Sequence, residues 1–265
     1  MPINYKAHLS YSDFPENFIW QWSELVVQTF LSTFAKNMPP GGDAIDLGAN
    51  VGLHTWTLGT IVRRTNNTVI SVEPDKNNVK ILKQYVKDTN WFNMKIITNP
   101  ISNVKKTIHF LYNSDSQLNK ITDKDQPNAV CMDSITLDEI SQGYCPKFIK
   151  IDVEGQEINA IIGGQETVLK YRPIIATEFG ASDYSQNDIN WYYHFFKSNN
   201  YLFLDLFGDE FSESDFVQNH QRYWNRFLIP AEYAHIVPIF KNNLKVIYSL
   251  YNLEDNENFQ INFDN

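Results

Sequence analysis

Near-continuous apolar runs alternate with helically spaced stretches through much of the chain, and this alternation restricts the fold more than any other feature. Residues 43–47, 68–72, 94–97, 148–153 and 173–178 read as short strands. Between them lie helical segments. One follows Gly52 and ends near Arg64. One is opened by Asp75 and sets Val79, Leu82, Tyr85 and Val86 on one face. A third runs over 157–169 and is interrupted at Gly163-Gly164. Strands apolar on both faces, alternating with helices, require a parallel sheet covered on both sides. The expected fold is therefore α/β, a Rossmann-like doubly wound sheet.

The flanking segments are less regular. Residues 16–37 carry Phe18, Trp22, Leu25, Val26 and Phe30 at helical spacing, and 38–42 (Met-Pro-Pro-Gly-Gly) stops that helix. Residues 108–112 and 129–132 are expected as extra strands around a polar loop, 113–128. Residues 189–197 read as a helix. Residues 201–207 and 224–229 read as an antiparallel closing pair at the sheet edge, separated by a polar stretch with no clear helix. No linker divides the chain. The expectation is one domain over 1–265, with a helical extension at 1–40, a core at 43–230 and an appendix at 231–265.

Charge narrows the partners. Lys and Arg number 22 and Asp and Glu 31, for a net charge of −9. Such a chain repels phosphate backbones unless it carries a basic patch, and the basic spots here are short. Nucleic acid is not the expected partner. Cys131 and Cys145 are the two cysteines and read as reduced thiols. No apolar run reaches the roughly 18–20 residues a membrane helix needs, and the first residues lack a signal-peptide layout. The expected location is the cytoplasm, and the sequence leaves the oligomeric state open.

The segment Ile45–His54 (IDLGANVGLH) occupies the first strand-to-helix turn, where doubly wound sheets bind ligands. Glycine permits close backbone approach there. The dinucleotide pattern G-x-G-x-x-G is broken, because Asn50 and Leu53 stand at its second and third glycines. Asp46 precedes the first glycine by two residues. A pyrophosphate favours bare amides at such a turn, whereas an acid suits a ligand with a cationic end, such as S-adenosylmethionine. Glu73 ends the second strand and is placed to accept ribose hydroxyls, a role common to NAD and S-adenosylmethionine sites.

Carboxylates mark the later strand ends too. In Lys147–Gly155, period-two alternation puts Lys150, Asp152 and Glu154 on one side. Glu178 ends the next strand. These three acids are candidates for general-base work on a hydroxyl or for Mg²⁺, which prefers oxygen ligands. The alternative is helix capping with a structural Lys150–Asp152 pair. His54 either faces the reaction site or caps its helix. The six histidines show no zinc-ligand spacing, and no residue is assigned as a metal ligand. Trp191, Tyr192, Tyr193, Phe195 and Phe196, at helical spacing, suit a core better than a stacking platform.

These motifs together resemble the FkbM-type methyltransferases, within the class I S-adenosylmethionine-dependent fold. The carrying residues are Ile45–Gly52, Val72-Glu73-Pro74, Thr136-Leu137-Asp138, and Lys150–Glu157 leading to Gly163-Gly164. The resemblance implies a seven-stranded sheet of order 3-2-1-4-5-7-6, with the seventh strand antiparallel and helices on both faces. It implies S-adenosylmethionine as cofactor. Asp46, Gly48, Asn50 and Gly52 would line its methionine part, Glu73 its ribose, and the Asn99–Ser102 segment with Ile101 its adenine; Pro74 would also bind the cofactor, and Asp152 would lie near the transferring methyl. The implied activity is O-methylation of a hydroxyl on a sugar, glycan or polyketide-like metabolite. Asp152, Glu154, Glu178 and His54 are the catalytic candidates. Two other readings stand beside it: a nicotinamide-dependent oxidoreductase, and a non-catalytic binding module on the same scaffold.

Overall fold

A computed structural model describes residues 16–89, 91, 93–112, 120–122, 126, 129–179, 184–219 and 225–250. The main sheet contains β1 (Asp43–Leu47), β2 (Val69–Val72), β3 (Met94–Ile97), β7 (Pro146–Ile151), β8 (Ile174–Glu178), β9 (Tyr201–Leu204) and β10 (Asn225–Pro230). Its order is β3-β2-β1-β7-β8-β10-β9. Counted within this sheet alone, that order is 3-2-1-4-5-7-6. The labels depart from it because β4 (Thr107–Leu111), β5 (Lys120–Thr122) and β6 (Ala129–Asp133) form a separate antiparallel sheet in the order β5-β4-β6. β10 runs antiparallel to both β8 and β9.

Two layers of apolar side chains cover the sheet. One face carries Ala44, Val69, Phe148, Ala176 and Phe227 against α1 (Glu16–Asn37), α2 (Leu53–Arg63) and α9 (Val237–Leu250). The other carries Ile45, Ile70, Ile149, Ile175 and Leu228 against α5 (Glu157–Ile162), α6 (Gln165–Tyr171) and α7 (Gln186–Ser198). β7 and β8 are buried over almost their whole length, as a parallel sheet wound on both sides requires. α3 (Lys76–Thr89) is capped by Asp75, whose carboxylate accepts the amides of Asn77 and Asn78.

Several expectations need correction. The loop 113–128 contains strand β5. β7 ends at Ile151, so Asp152 and Val153 lie beyond the strand. The polar stretch before β10 contains helix α8 (Glu213–Asn219). The supposed appendix is partly core: a 3₁₀ segment, Ala231–Ile236, leads into α9, whose Phe240, Leu244 and Ile247 are buried with Phe30 and Phe34 of α1. Other expectations hold: Tyr192, Tyr193 and Phe196 are core residues. Both cysteines are free thiols. Trp224, the tail at 251–265, and the side chains of Phe18 and Trp22 lie outside the described residues.

Two of the motifs prove to be framework. Thr136 caps α4 (Leu137–Ile140) in a capping box with Glu139. Asp138 accepts from the amide and hydroxyl of Thr167 at 2.8 and 2.7 Å, clamping α4 to α6. Gly163 has no side chain because a Cβ there would stand 2.7 Å from the Ser102 carbonyl oxygen. Gly163 therefore lets the loop after β3 lie directly on the α5–α6 junction, and Gly164 leaves room for Leu137 of α4.

Candidate functional site

The site forms where β1, β2, β7 and β8 end. Gly48, Asn50 and Gly52 all have left-handed backbone, with φ of 78°, 49° and 101°. At Gly48 the requirement is absolute: a Cβ would fall 1.7 Å from the Asp152 carbonyl oxygen. The turn after β1 thus presses against the chain leaving β7. It is held from the other side by Glu73. One Glu73 oxygen accepts the Asn50 amide at 2.7 Å, and the other accepts the Asp75 amide at 2.7 Å. Burial pushes the Glu73 carboxyl up to about 7, against the pull of these amides. Pro74 follows, and its carbonyl accepts the Tyr112 hydroxyl at 3.3 Å, joining the small sheet to this rim.

Beneath the turn, Asp46 is buried on the α1 face. Thr55 Oγ1, on α2, donates to Asp46 Oδ2 at 2.5 Å and lies 3.0 Å from Ser71 Oγ. Burial raises the Asp46 carboxyl despite nearby His54 and this hydrogen bond. His54 is also buried and does not cap α2; its Nε2 lies against the carboxylate of Glu24, carried by α1.

Lys150 is the hub. Its register partner on β1 is Asp46 and on β8 is Ala176. The residue is 1% exposed, and its ammonium stands 3.0 Å from Asp152 Oδ2. Burial favours the neutral amine, but Asp152, Glu178, Asp46 and Glu24 outweigh it and hold the lysine charged. Glu178 is pushed up to about 8, first by burial and then by Asp152. The cation among these carboxylates is thus a lysine.

The turn after β7 is fixed by Glu157, which opens α5. Glu157 Oε1 accepts the amides of Val153 and Gly155 at 3.1 and 3.2 Å, and its other oxygen meets the Tyr184 hydroxyl. Burial pushes the Glu157 carboxyl up to about 7. Between these anchors Glu154 adopts left-handed backbone, φ 46°. Strand alternation does not extend to it.

Asp46, Asp152 and Glu178 are therefore brought together around Lys150, with His54 acting on Asp46 and Glu154 acting on Glu178 through their charges. Glu73 stands apart, on the Asn50 side of the turn. Ile101 is 4% exposed and packs with the second core layer, bridged to Ile135. Glu24 and Glu157 were not legible as site residues: one acid on an amphipathic helix looks like any other until the helix docks. Among the described residues, no group of three or more His, Cys, Asp or Glu side chains is placed to hold a metal ion. No described helix is long and apolar enough to cross a membrane.

The family model described as the methyltransferase FkbM domain matches residues 46–210, more than half of the chain. No curated protein matches. Among solved structures, an FkbM methyltransferase from Methylobacillus flagellatus aligns at 21% identity and TM-score 0.40, covering 52% of this chain and 32% of that one. The chain thus spans about a third of that protein's length. An rRNA methylase from Streptococcus thermophilus aligns at 8% identity and TM-score 0.44, covering 76% and 93%. A Streptococcus mutans protein in complex with SAH aligns at 7% identity and TM-score 0.46, covering 76% and 96%.

Proposed function

Because the chain belongs to the FkbM methyltransferase family, we propose that it moves the methyl group of S-adenosylmethionine to a hydroxyl of a sugar, glycan or polyketide-like acceptor. The observation that carries this reading is the carboxyl-lined rim around a glycine turn: Asp46, Asp152 and Glu178 cluster beside Gly48, and Glu73 stands across it.

The residues fit the donor. The Glu73 oxygens accept one backbone amide each and the Asn78 side chain also bonds the carboxylate, which leaves lone-pair capacity for a ribose hydroxyl. Asp46 and Asp152 favour a ligand bearing ammonium and sulfonium charge. When bound, that donor supplies a methyl group already activated by its sulfonium.

The chain's own work is positioning and proton removal. Alignment alone supplies about 7–11 kcal/mol of such a barrier. We assign the proton to the Asp152–Glu178 pair. Lys150 grips one Asp152 oxygen and orients the partly exposed carboxylate. Glu178, with its carboxyl raised to about 8, is when ionised a stronger base than an ordinary carboxylate. The acceptor O–C bond forms as the donor's S–C bond breaks, and the hydroxyl proton goes to a carboxylate oxygen of the pair. Glu154 tunes Glu178 through its charge. His54, buried against Glu24, positions the turn instead of touching the acceptor.

Calorimetry with S-adenosylmethionine, S-adenosylhomocysteine and NADH tests the donor. Radiolabelled methyl transfer to a panel of glycosides and polyketides tests the acceptor class. Glu178→Gln should lower turnover about 10²–10⁴-fold while donor affinity holds. Tight NADH binding without S-adenosylmethionine binding would overturn the donor. Wild-type turnover in Glu178→Gln would overturn its role as the base.

A further inference from the structure

Asn225, the first residue of β10, has no part in the site as described so far. It is 3% exposed, and its carboxamide oxygen is buried with no hydrogen-bond partner among the described residues. Native proteins rarely leave a buried acceptor unmet, so each exception calls for an explanation. This oxygen requires an N–H or O–H donor.

Its place in the fold indicates which kind. Asn225 is in direct register with Glu178 across the antiparallel β8–β10 pair. Such partners share one face of the sheet, with side chains about 4.5–5.5 Å apart. Two residues along, Ala176 and Phe227 pack on the α1 face, so Glu178 and Asn225 point to that same face. On the next strand Ile151 pairs with Thr177, which sets Asp152 beside Glu178. Three oxygen-bearing side chains, Asp152, Glu178 and Asn225, therefore stand in a row across three adjacent strand ends.

We propose that Asn225 is a specificity-determining residue of the acceptor site and that the acceptor is a vicinal diol. One hydroxyl meets the Asp152–Glu178 pair, gives up its proton there and receives the methyl group. The hydroxyl on the adjacent carbon keeps its proton and donates it in a hydrogen bond to Asn225 Oδ1. The inference rests on the methyl-transfer reading of this rim. It goes beyond that reading in stating what the acceptor carries next to the reacting oxygen.

The test uses the full chain saturated with S-adenosylhomocysteine. A vicinal cyclohexanediol and cyclohexanol serve as probes, and the Asn225 side-chain amide is followed by NMR after assignment by its loss in Asn225→Leu. The diol should shift the signal saturably and cyclohexanol should not. Asn225→Leu should weaken diol binding about 10–100-fold and leave S-adenosylhomocysteine affinity within about twofold. Asn225→Asp, which keeps an oxygen acceptor, should retain diol binding and guards against a folding failure of the leucine variant. Equal responses to the two probes overturn the proposal. So does undiminished diol binding in Asn225→Leu, or an amide signal that follows only the titration of Glu178. Failure of the wild-type protein to bind S-adenosylhomocysteine is a separate outcome that overturns the donor reading, and this inference with it.

Discussion

Replacing Glu178 by glutamine should change how stability depends on pH, in a direction and amount the structure sets. Burial, reinforced by Asp152, raises the Glu178 carboxyl from 4.5 to about 8. In the unfolded chain it ionises near 4.5. Between these two values the folded protein keeps a proton that the unfolded chain has released, so stability falls as pH rises. The penalty is absent below pH 4.5, grows through the interval and levels off above about 8. At about 1.4 kcal/mol for each pH unit the ceiling is near 5 kcal/mol, and about 3–5 kcal/mol is the expected range. Glutamine mimics the protonated acid, so Glu178→Gln should match wild type near pH 5 and exceed it by about 3–5 kcal/mol at pH 8. Urea unfolding of both proteins at several pH values reads this directly, as a gap in midpoints opening to on the order of 1 M. A gap constant from pH 5 to 8 would refute the argument, because it would mean that Glu178 titrates alike in both states.

Two further substitutions separate framework from site. Gly48→Ala sets a Cβ against the Asp152 carbonyl in left-handed backbone; it should cost about 3 kcal/mol or more and abolish S-adenosylhomocysteine binding, both measurable by thermal shift with and without ligand. Asp138→Ala deletes the clamp on Thr167 and should cost about 1–3 kcal/mol in denaturant, with ligand affinity unchanged by calorimetry.

Much of the fold was legible because the main strands are short and apolar while their connections are helical. The end of β1, the helix break at Gly163-Gly164 and the cap at Asp75 are local signals, and the structure contains each one. β5 and α8 were missed because both lie in polar stretches, where short elements depend on neighbours and not on periodicity. α9 was read as appendix because nothing local reveals that Phe240 packs on Phe30, more than two hundred residues earlier. In the site, Asp46, Glu73, Asp152 and Glu178 could be picked out as acids at strand ends. Their arrangement could not. Strand alternation assigned Glu154 to the face of Asp152, yet β7 stops at Ile151 and Glu157 bends the chain into a turn.

The sequence by itself determined that this chain winds a parallel sheet and brings acids to one rim, because strand period, helix period and turn glycines are properties of neighbouring residues. Only the tertiary structure decided how tightly Asp46, Glu73 and Glu178 hold their protons. Lys150 meets Asp46 across one strand boundary and Asp152 at its own strand's end, Glu24 arrives on a helix from the far end of the chain, and Asn225 comes to lie opposite Glu178. Proton affinity depends on burial and on charges within a few ångströms, and those are fixed only once the distant segments have packed together.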